Sequence, residues 1–532
     1  MDNKIYAKLI TPEEFNNISL KEISGFPCDY ILRCTEGRYE GRQFLLSSLG
    51  DTITIGSSEE CNFQINDIEI APKHCILKLV KNTIYYELID LNSPSGTWLK
   101  VNIFNDDFEV VQTTEFRIHN HHFIIEFTPN QTHTLKFTKG INKDSSYILE
   151  DDSDIFIGRD KKCTIELSDI LTTEDYSFRI VMTNKRVFIS ICCYDLNNDG
   201  LYYKVSNNEK DSVLIRAGDF IKLGRNILRV LIHNWGITNE IGDRTYQEDK
   251  FCLVDDLRIF DSIVVPYYAV YDGHGGYMCS VFLQKYFHKT IKDLIKMNKN
   301  LEESKNFFVD FCKIVQDAII YTDFTFKEKE TNFAYHQGST CVSLFFIGNK
   351  VICCNLGDSI SILVRKEKRI HLSKDFRPFR EKEKERIKYL KGNITEEGRM
   401  LGIINVSRSF GDWKFKEPNN PVISKQNVPE FKDYLMSNRA EFRIFEVDPK
   451  VDEYIILASD GILQYSNYLN IFELIGKHLN DENENELKDI PLVIDNFRLD
   501  LLNLNTENMQ GKKHEAIKLD NMTLVFIHLQ NY

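Results

Sequence analysis

Tyr271-Asp-Gly-His-Gly-Gly276 closes the apolar, β-branched run from Ser262 to Tyr271 and sets a carboxylate at the mouth of an expected strand. Three further acidic patches adjoin apolar runs in the same way: Arg244-Thr-Tyr-Gln-Glu-Asp249, Ala458-Ser-Asp-Gly461 and Asp520-Asn-Met-Thr523. Side chains from distant segments can meet at strand ends, and carboxylates that meet repel one another unless a cation holds them. Neither paired His nor thiolates stand at ligand spacing beside these patches. Ligation by oxygen alone suits Mg2+ and Mn2+ and argues against Zn2+ or Cu2+. The pattern reads as the site of a dinuclear Mg2+ or Mn2+ hydrolase.

Length and charge bound the remaining possibilities. A chain of 532 residues has room for about three domains of roughly 100–200 residues each. The hydrophobic share of 42 % is ordinary for a globular protein with a sizeable core. Lys and Arg total 66 against 79 Asp and Glu, a formal charge of −13, which disfavours binding to nucleic acid or to an anionic membrane. With no long apolar run, signal-like N-terminus or Gly after Met1, the expected location is the cytosol or nucleus. The 13 Cys are scattered without a Cys-x-x-Cys pair and read as buried, reduced thiols.

The first half of the chain repeats. Thr54-Ile-Gly-Ser-Ser-Glu-Glu-Cys-Asn-Phe-Gln-Ile-Asn-Asp67 aligns without gaps to Phe156-Ile-Gly-Arg-Asp-Lys-Lys-Cys-Thr-Ile-Glu-Leu-Ser-Asp169, 102 residues on. Downstream, Ile89-Asp-Leu-Asn-Ser-Pro-Ser-Gly96 answers Tyr194-Asp-Leu-Asn-Asn-Asp-Gly200. Short alternating runs such as Thr83–Leu88 and Val187–Ile191, with turn residues between them, predict an all-β sandwich in each copy. The economical organisation is an N-terminal extension over 1–26, tandem sandwiches over 27–130 and 131–234, and a third domain over 236–532.

On Ile55-Gly56, Cys61, His74-Cys75, Asp90-Leu91 and Ser95-Gly96-Thr97-Trp98, the copies resemble forkhead-associated (FHA) domains, the phosphothreonine-binding β-sandwiches. In that family a Gly-Arg pair, a Ser three residues before the His and an Asn before the Gly-Thr bind phosphate and peptide. The first copy has Ser57, Ala71 and Ser95 at those places; it lacks the planar guanidinium fork and one hydroxyl that suit phosphate. The second keeps Gly158-Arg159 and offers Thr173, but has Tyr176 for the His and Asp199 for the Asn, and an Asp there would repel phosphate. Both copies are expected to act as protein-interaction or structural modules, with Arg159 and Thr173 the phosphopeptide-binding candidates.

From residue 236 onward the chain resembles the metal-dependent Ser/Thr protein phosphatases of the type 2C or PPM family. Besides the acidic patches, Gly338-Ser-Thr-Cys341, Asn355-Leu-Gly-Asp-Ser359 and Val406-Ser-Arg-Ser-Phe-Gly-Asp412 follow in the family's order. The resemblance implies an α+β domain: a central antiparallel β-sandwich flanked by helices, with the metals at one end. Patterning agrees, since the apolar runs Ser262–Tyr271, Cys341–Asn355 and Tyr454–Ser459 alternate with charged helical stretches over 280–330 and 380–392.

A phosphomonoester dianion resists neutral water, so a catalyst must supply a hydroxide-like nucleophile and neutralise the non-bridging oxygens. Two divalent ions roughly 3.5–4 Å apart meet both needs. The resemblance implies that Asp272 bridges the pair, with Asp460 and Asp520 on one ion and the Gly273 carbonyl with Glu248 on the other. Asp249 would act through ordered water, and Asp358 would join Asp460 at a looser third ion. Arg244 would clamp phosphate and His274 would protonate the leaving Ser or Thr alkoxide. Ile360 and Phe376 depart from the family's Arg and His, and Leu372 to Arg408 would form a flap beside the site. Phosphorylated proteins are the expected substrates, with further protein partners at the FHA-like copies. The alternative is a scaffold that binds phosphoproteins with little or no turnover.

Overall fold

The computed structural model describes residues 20, 30–80, 85–101, 108–127, 133–167, 176–191, 200–260, 263–366, 368–416, 434–465, 468–479, 488–511 and 519–529. The chain divides into two compact units, Cys28–Ile232 and one containing His233–Tyr532. The expected extension over 1–26 lies, but for Leu20, outside the described residues.

The N-terminal unit is all β. The repeat is visible in its strands: Thr52–Gly56 and Phe63–Gln64 pair in parallel, as do Asp154–Gly158 and Ile165–Glu166, in the register Ile55↔Phe63 and Ile157↔Ile165. Each set continues into an antiparallel pair, Cys75–Leu79 with Tyr86–Asp90 and Tyr176–Thr183 with Arg186–Ile191.

The way the copies close corrects the tandem boundary at 130/131. Phe108–Val110, which follows the first copy, pairs with Arg186–Ile191 of the second, while Val213–Ile215, which follows the second, pairs with Tyr86–Asp90 of the first. Likewise Thr114–Ile118 and His121–Phe127 lead to His133–Lys139, whereas Phe220–Leu223 and Asn226–Leu231 lie between Thr97–Lys100 and Ile31–Glu36. Leu201–Lys204 joins the halves into one ten-stranded sheet, with Tyr202 opposite both Lys100 and Arg117. The folded bodies are therefore roughly 101–200, contiguous in sequence, and 30–100 with 205–232 around it. Two copies with one strand pattern offer equivalent edges, so their closing strands can be exchanged with little change in contact type.

The second unit is a four-layer sandwich. One antiparallel sheet has the order Asn234–Glu240, Met522–His528, Asp452–Ala458, Ile360–Arg365, Lys368–His371. The other runs Lys250–Val254, Tyr267–Tyr271, Cys341–Ile347, Lys350–Leu356, Glu441–Glu446. Tyr268, Val270, Leu344 and Cys353 of one inner face meet Leu363, Ile455, Leu457, Val525 and Ile527 of the other in a shared core. Helices Tyr468–Leu479 and Ile490–Gly511 cover the outer face of the first sheet. Helices Met278–Met297 and Phe307–Lys329 flank the second, with Phe311 edge-on to Phe345. Burial on both faces is why these strands read as unbroken apolar runs.

Some expected elements divide. Cys341–Asn355 is a hairpin turned at Gly348, whose φ of 57° is left-handed. The helical stretch 280–330 is two helices, the first ending at Asn298, and 380–392 contains the helix Glu381–Tyr389. Of Ser262–Tyr271, Tyr267–Tyr271 forms strand. None of the ten cysteines described is in a disulfide, and all are buried. No described helix is long and apolar enough to cross a membrane.

Candidate active site

Sheet register gathers the acidic patches at one end of the sandwich. Lys250 pairs with Tyr271, so Glu248-Asp249, before one strand, and Asp272, after the other, share an edge. Ala458 pairs with Leu524, which does the same for Asp460 and Asp520. Asp358 follows Lys350–Leu356, itself paired through Cys341↔Leu356. Gly273 starts the short strand Gly273–His274, and a Cβ on it would lie 2.4 Å from the Glu248 carbonyl, so no other residue fits that approach.

The resulting field is strongly negative. Burial, then the charges of Asp249, Asp460, Asp358 and Asp520, drive the Asp272 carboxyl far above its ordinary value. Burial is also the leading cause for Asp249 and Asp358, each pushed up to about 7, and it raises Asp460. Asp249 accepts from Ser459 Oγ at 2.7 Å. Among the described residues no three acidic, His or Cys side chains are drawn together at ligand spacing; guanidinium groups pair with Glu248, Asp358, Asp460 and Asp520. Arg244 Nη2 is 2.6 Å from Asp520 Oδ2 and Nη1 3.9 Å from Glu248 Oε2. Arg377 Nη2 donates to Asp460 Oδ2 at 3.0 Å, and its Nε stands 3.1 Å from Asp358 Oδ2 as an ion pair without hydrogen-bond alignment. Carboxylate and carbonyl oxygens are the donors that hard divalent ions take, and surplus buried negative charge is what such ions neutralise; the residues fit Mg2+ or Mn2+.

Glu248 is fixed at both ends, its N–H donating to Asn521 Oδ1 at 2.8 Å and its Oε1 accepting from Gly276 N–H at 2.6 Å. Asn521 also donates to Ile241 O and Tyr246 O, stitching the Arg244 loop to the last strand. His274 Nε2 lies 2.6 Å from Asp412 Oδ2. Burial alone would push the imidazole toward neutrality, but the Asp412 charge and hydrogen bond overcome it and raise its pKa. Asp412 is buried, accepts from Ser409 Oγ at 2.8 Å and sits at a left-handed φ of 52°. Beneath it, Asp323 accepts from Gly411 N–H at 2.8 Å, Lys416 Nζ at 2.7 Å and Asn438 Nδ2 at 3.0 Å.

Arg377, Asp412, Asp323 and Lys416 carry no role from sequence reasoning. Asp412 ended a quoted motif and Arg377 sat in the flap, but neither position disclosed its partner. Phe376 is buried beneath the Arg408 guanidinium, 3.8 Å from its ring centroid, so that departure from the family is absorbed by packing.

At the FHA-like loops of the first copy, His74 Nδ1 accepts from Ala71 N–H and Nε2 donates to Gly96 O, both at 3.1 Å. Ser95 Oγ donates to Glu69 O at 2.7 Å, so this hydroxyl is engaged within the protein. Arg159 is exposed in the second copy, while its candidate partner Thr173, and Asp199, lie outside the described residues.

Comparison with known proteins places these features. Residues 239–500 match the family model for protein phosphatase 2C and residues 53–118 that for the FHA domain, the latter running across the strand exchange. A probable protein phosphatase 2C 2 of rice is 26 % identical over 256 residues, 46 % of this chain and 63 % of the rice protein. A probable protein phosphatase 2C 11 of Arabidopsis thaliana is 30 % identical over 239 residues, 44 % of this chain and 56 % of that one. The chain spans less than two thirds of the length of both. Two solved structures are similar over 56 % of the chain: a C. elegans sex determining protein (TM-score 0.43, 20 % identity, 65 % of that chain) and a serine-threonine phosphatase 2C from Toxoplasma gondii (TM-score 0.40, 18 % identity, 94 % of that chain). The FHA match thus falls in the all-β unit and the protein phosphatase 2C match in the unit that forms the carboxylate-ended sandwich.

Proposed function

We propose that the protein hydrolyses phosphoserine and phosphothreonine on proteins, using two Mg2+ or Mn2+ ions at the carboxylate end of the sandwich. The observation that carries this reading is the convergence of Asp249, Asp272, Asp358 and Asp460 from separate strands, with burial and mutual repulsion raising all four carboxyls. Asp272, the Gly273 carbonyl, Glu248, Asp460 and Asp520 would hold the ions, and Asp249 would act through water. When bound, such ions supply a hydroxide-like nucleophile and neutralise the phosphoryl oxygens.

The chain's own residues do the rest. Arg244 is 48 % exposed at its side chain, so it can turn from Asp520 to take two phosphate oxygens with its planar fork. With Nε2 of His274 donating to Asp412, Nδ1 is the nitrogen left to hand a proton to the departing alkoxide. Asp412 raises the pKa of that imidazole and orients it. The FHA-like unit serves recruitment or regulation, through surfaces other than the first copy's Ser95 hydroxyl. The proposed setting is cytosolic or nuclear.

The test is phosphate release from a phosphothreonine peptide by the full-length chain, with and without Mn2+, beside Asp272→Asn. Mn2+-dependent release that disappears in the variant is expected. No release from the wild type under any metal would replace this reading with a phosphoprotein-binding scaffold.

A further inference from the structure

The third cation position implied by Asp358 and Asp460 already faces a cation of the chain itself. Arg377 reaches both carboxylates, at 3.1 and 3.0 Å. Its backbone is held on the N-terminal side: Phe376 N–H donates to Gly357 O at 2.9 Å, and Phe376 O accepts from Ser407 N–H at 2.9 Å and Ser407 Oγ at 3.0 Å. The Phe376 ring is clamped under Arg408, Pro378 follows with its restricted φ, and Asp375 pairs with Arg380 at 2.5 Å. A guanidinium tethered this way is presented at high effective concentration, whereas an ion must arrive from solution. It is always charged and its donors fit carboxylates.

We propose that Arg377 is a built-in cation that takes the place of a third metal ion, so that this phosphatase domain works with two. The proposal rests on the dinuclear reading above. Removing the guanidinium exposes two carboxylates at one point, the condition under which a divalent ion is drawn in. Asp460 is shared between this pair and the dinuclear set, so Arg377 also fixes the orientation of one ligand of the working ions.

The experiment counts Mn2+ bound to the full-length chain at saturation, by electron paramagnetic resonance of free ion, with circular dichroism to verify folding. Two equivalents are expected for the wild type, three for Arg377→Gln, and two again for Arg377→Gln with Asp358→Asn. Three in the wild type, or two in both the wild type and Arg377→Gln, overturns the proposal while leaving the dinuclear site standing. No bound Mn2+ in the wild type removes the dinuclear reading and the proposal with it. Should Arg377→Gln fail to fold, Asp358→Asn alone decides: a count that stays at two supports the built-in cation, and a fall from three to two refutes it.

Discussion

Excised residues 101–204 should fold as an independent sandwich, although they begin in the first sequence repeat and end in the second. Every member of the core cluster in this body, from Val101 through Phe116, Phe123, Phe137, Ile157 and Phe178 to Leu201, lies inside that span. Its aromatic centre is a stack in which Phe123 lies 5.2 Å from Phe116 and 5.7 Å from Phe178 between ring centroids. The tandem fragment 131–234 lacks Val101, Val110, Phe116, Ile118, Phe123 and Ile125, all at most 3 % exposed. Fully burying a large apolar side chain contributes about 1.5–3 kcal/mol, so these six account for about 9–18 kcal/mol, as much as the whole stability of an ordinary domain at about 5–15 kcal/mol. Urea titration by circular dichroism, with amide proton dispersion in NMR, compares the two fragments. The expected result is cooperative unfolding of 101–204 and none of 131–234. A cooperative 131–234 beside an unfolded 101–204 would refute the strand exchange.

Three other outcomes follow from the second unit. Lys416→Met leaves Asp323 charged and buried, both side chains being 0 % exposed, and should cost about 3–5 kcal/mol in urea unfolding; a loss under about 1 kcal/mol would show that the pair is not held as described. Asp412→Asn removes the charge that raises the His274 pKa, so the acid form is lost at lower pH and the alkaline limb of the kcat profile should move downward; an unmoved limb would exclude His274 as the acid. Arg244→Ala, losing a charge-assisted phosphate contact of about 1.5–3 kcal/mol, should lower kcat/KM by about 10- to 150-fold, with equal activity counting against phosphate contact.

The carboxylates were legible in the sequence because an Asp that adjoins an apolar strand, just before or just after it, lies at the end of a sheet, whatever its neighbours. Asp249, Asp272, Asp460 and Asp520 were found that way, and Asp358 by its place in a quoted motif. The partners of these groups were not legible, since Arg377 meets Asp460 across 83 residues and His274 meets Asp412 across 138. Nothing local in either segment encodes such a contact.

The same contrast runs through the N-terminal unit. Alternation of apolar and polar residues, with turns between them, by itself determined that the repeats are strands and that each copy is a sandwich. Which closing strands complete which copy was decided by the tertiary structure. Two repeats with one pattern present equivalent edges, and the choice between equivalent edges depends on non-local packing and on how the connecting chain runs, which strand periodicity does not specify.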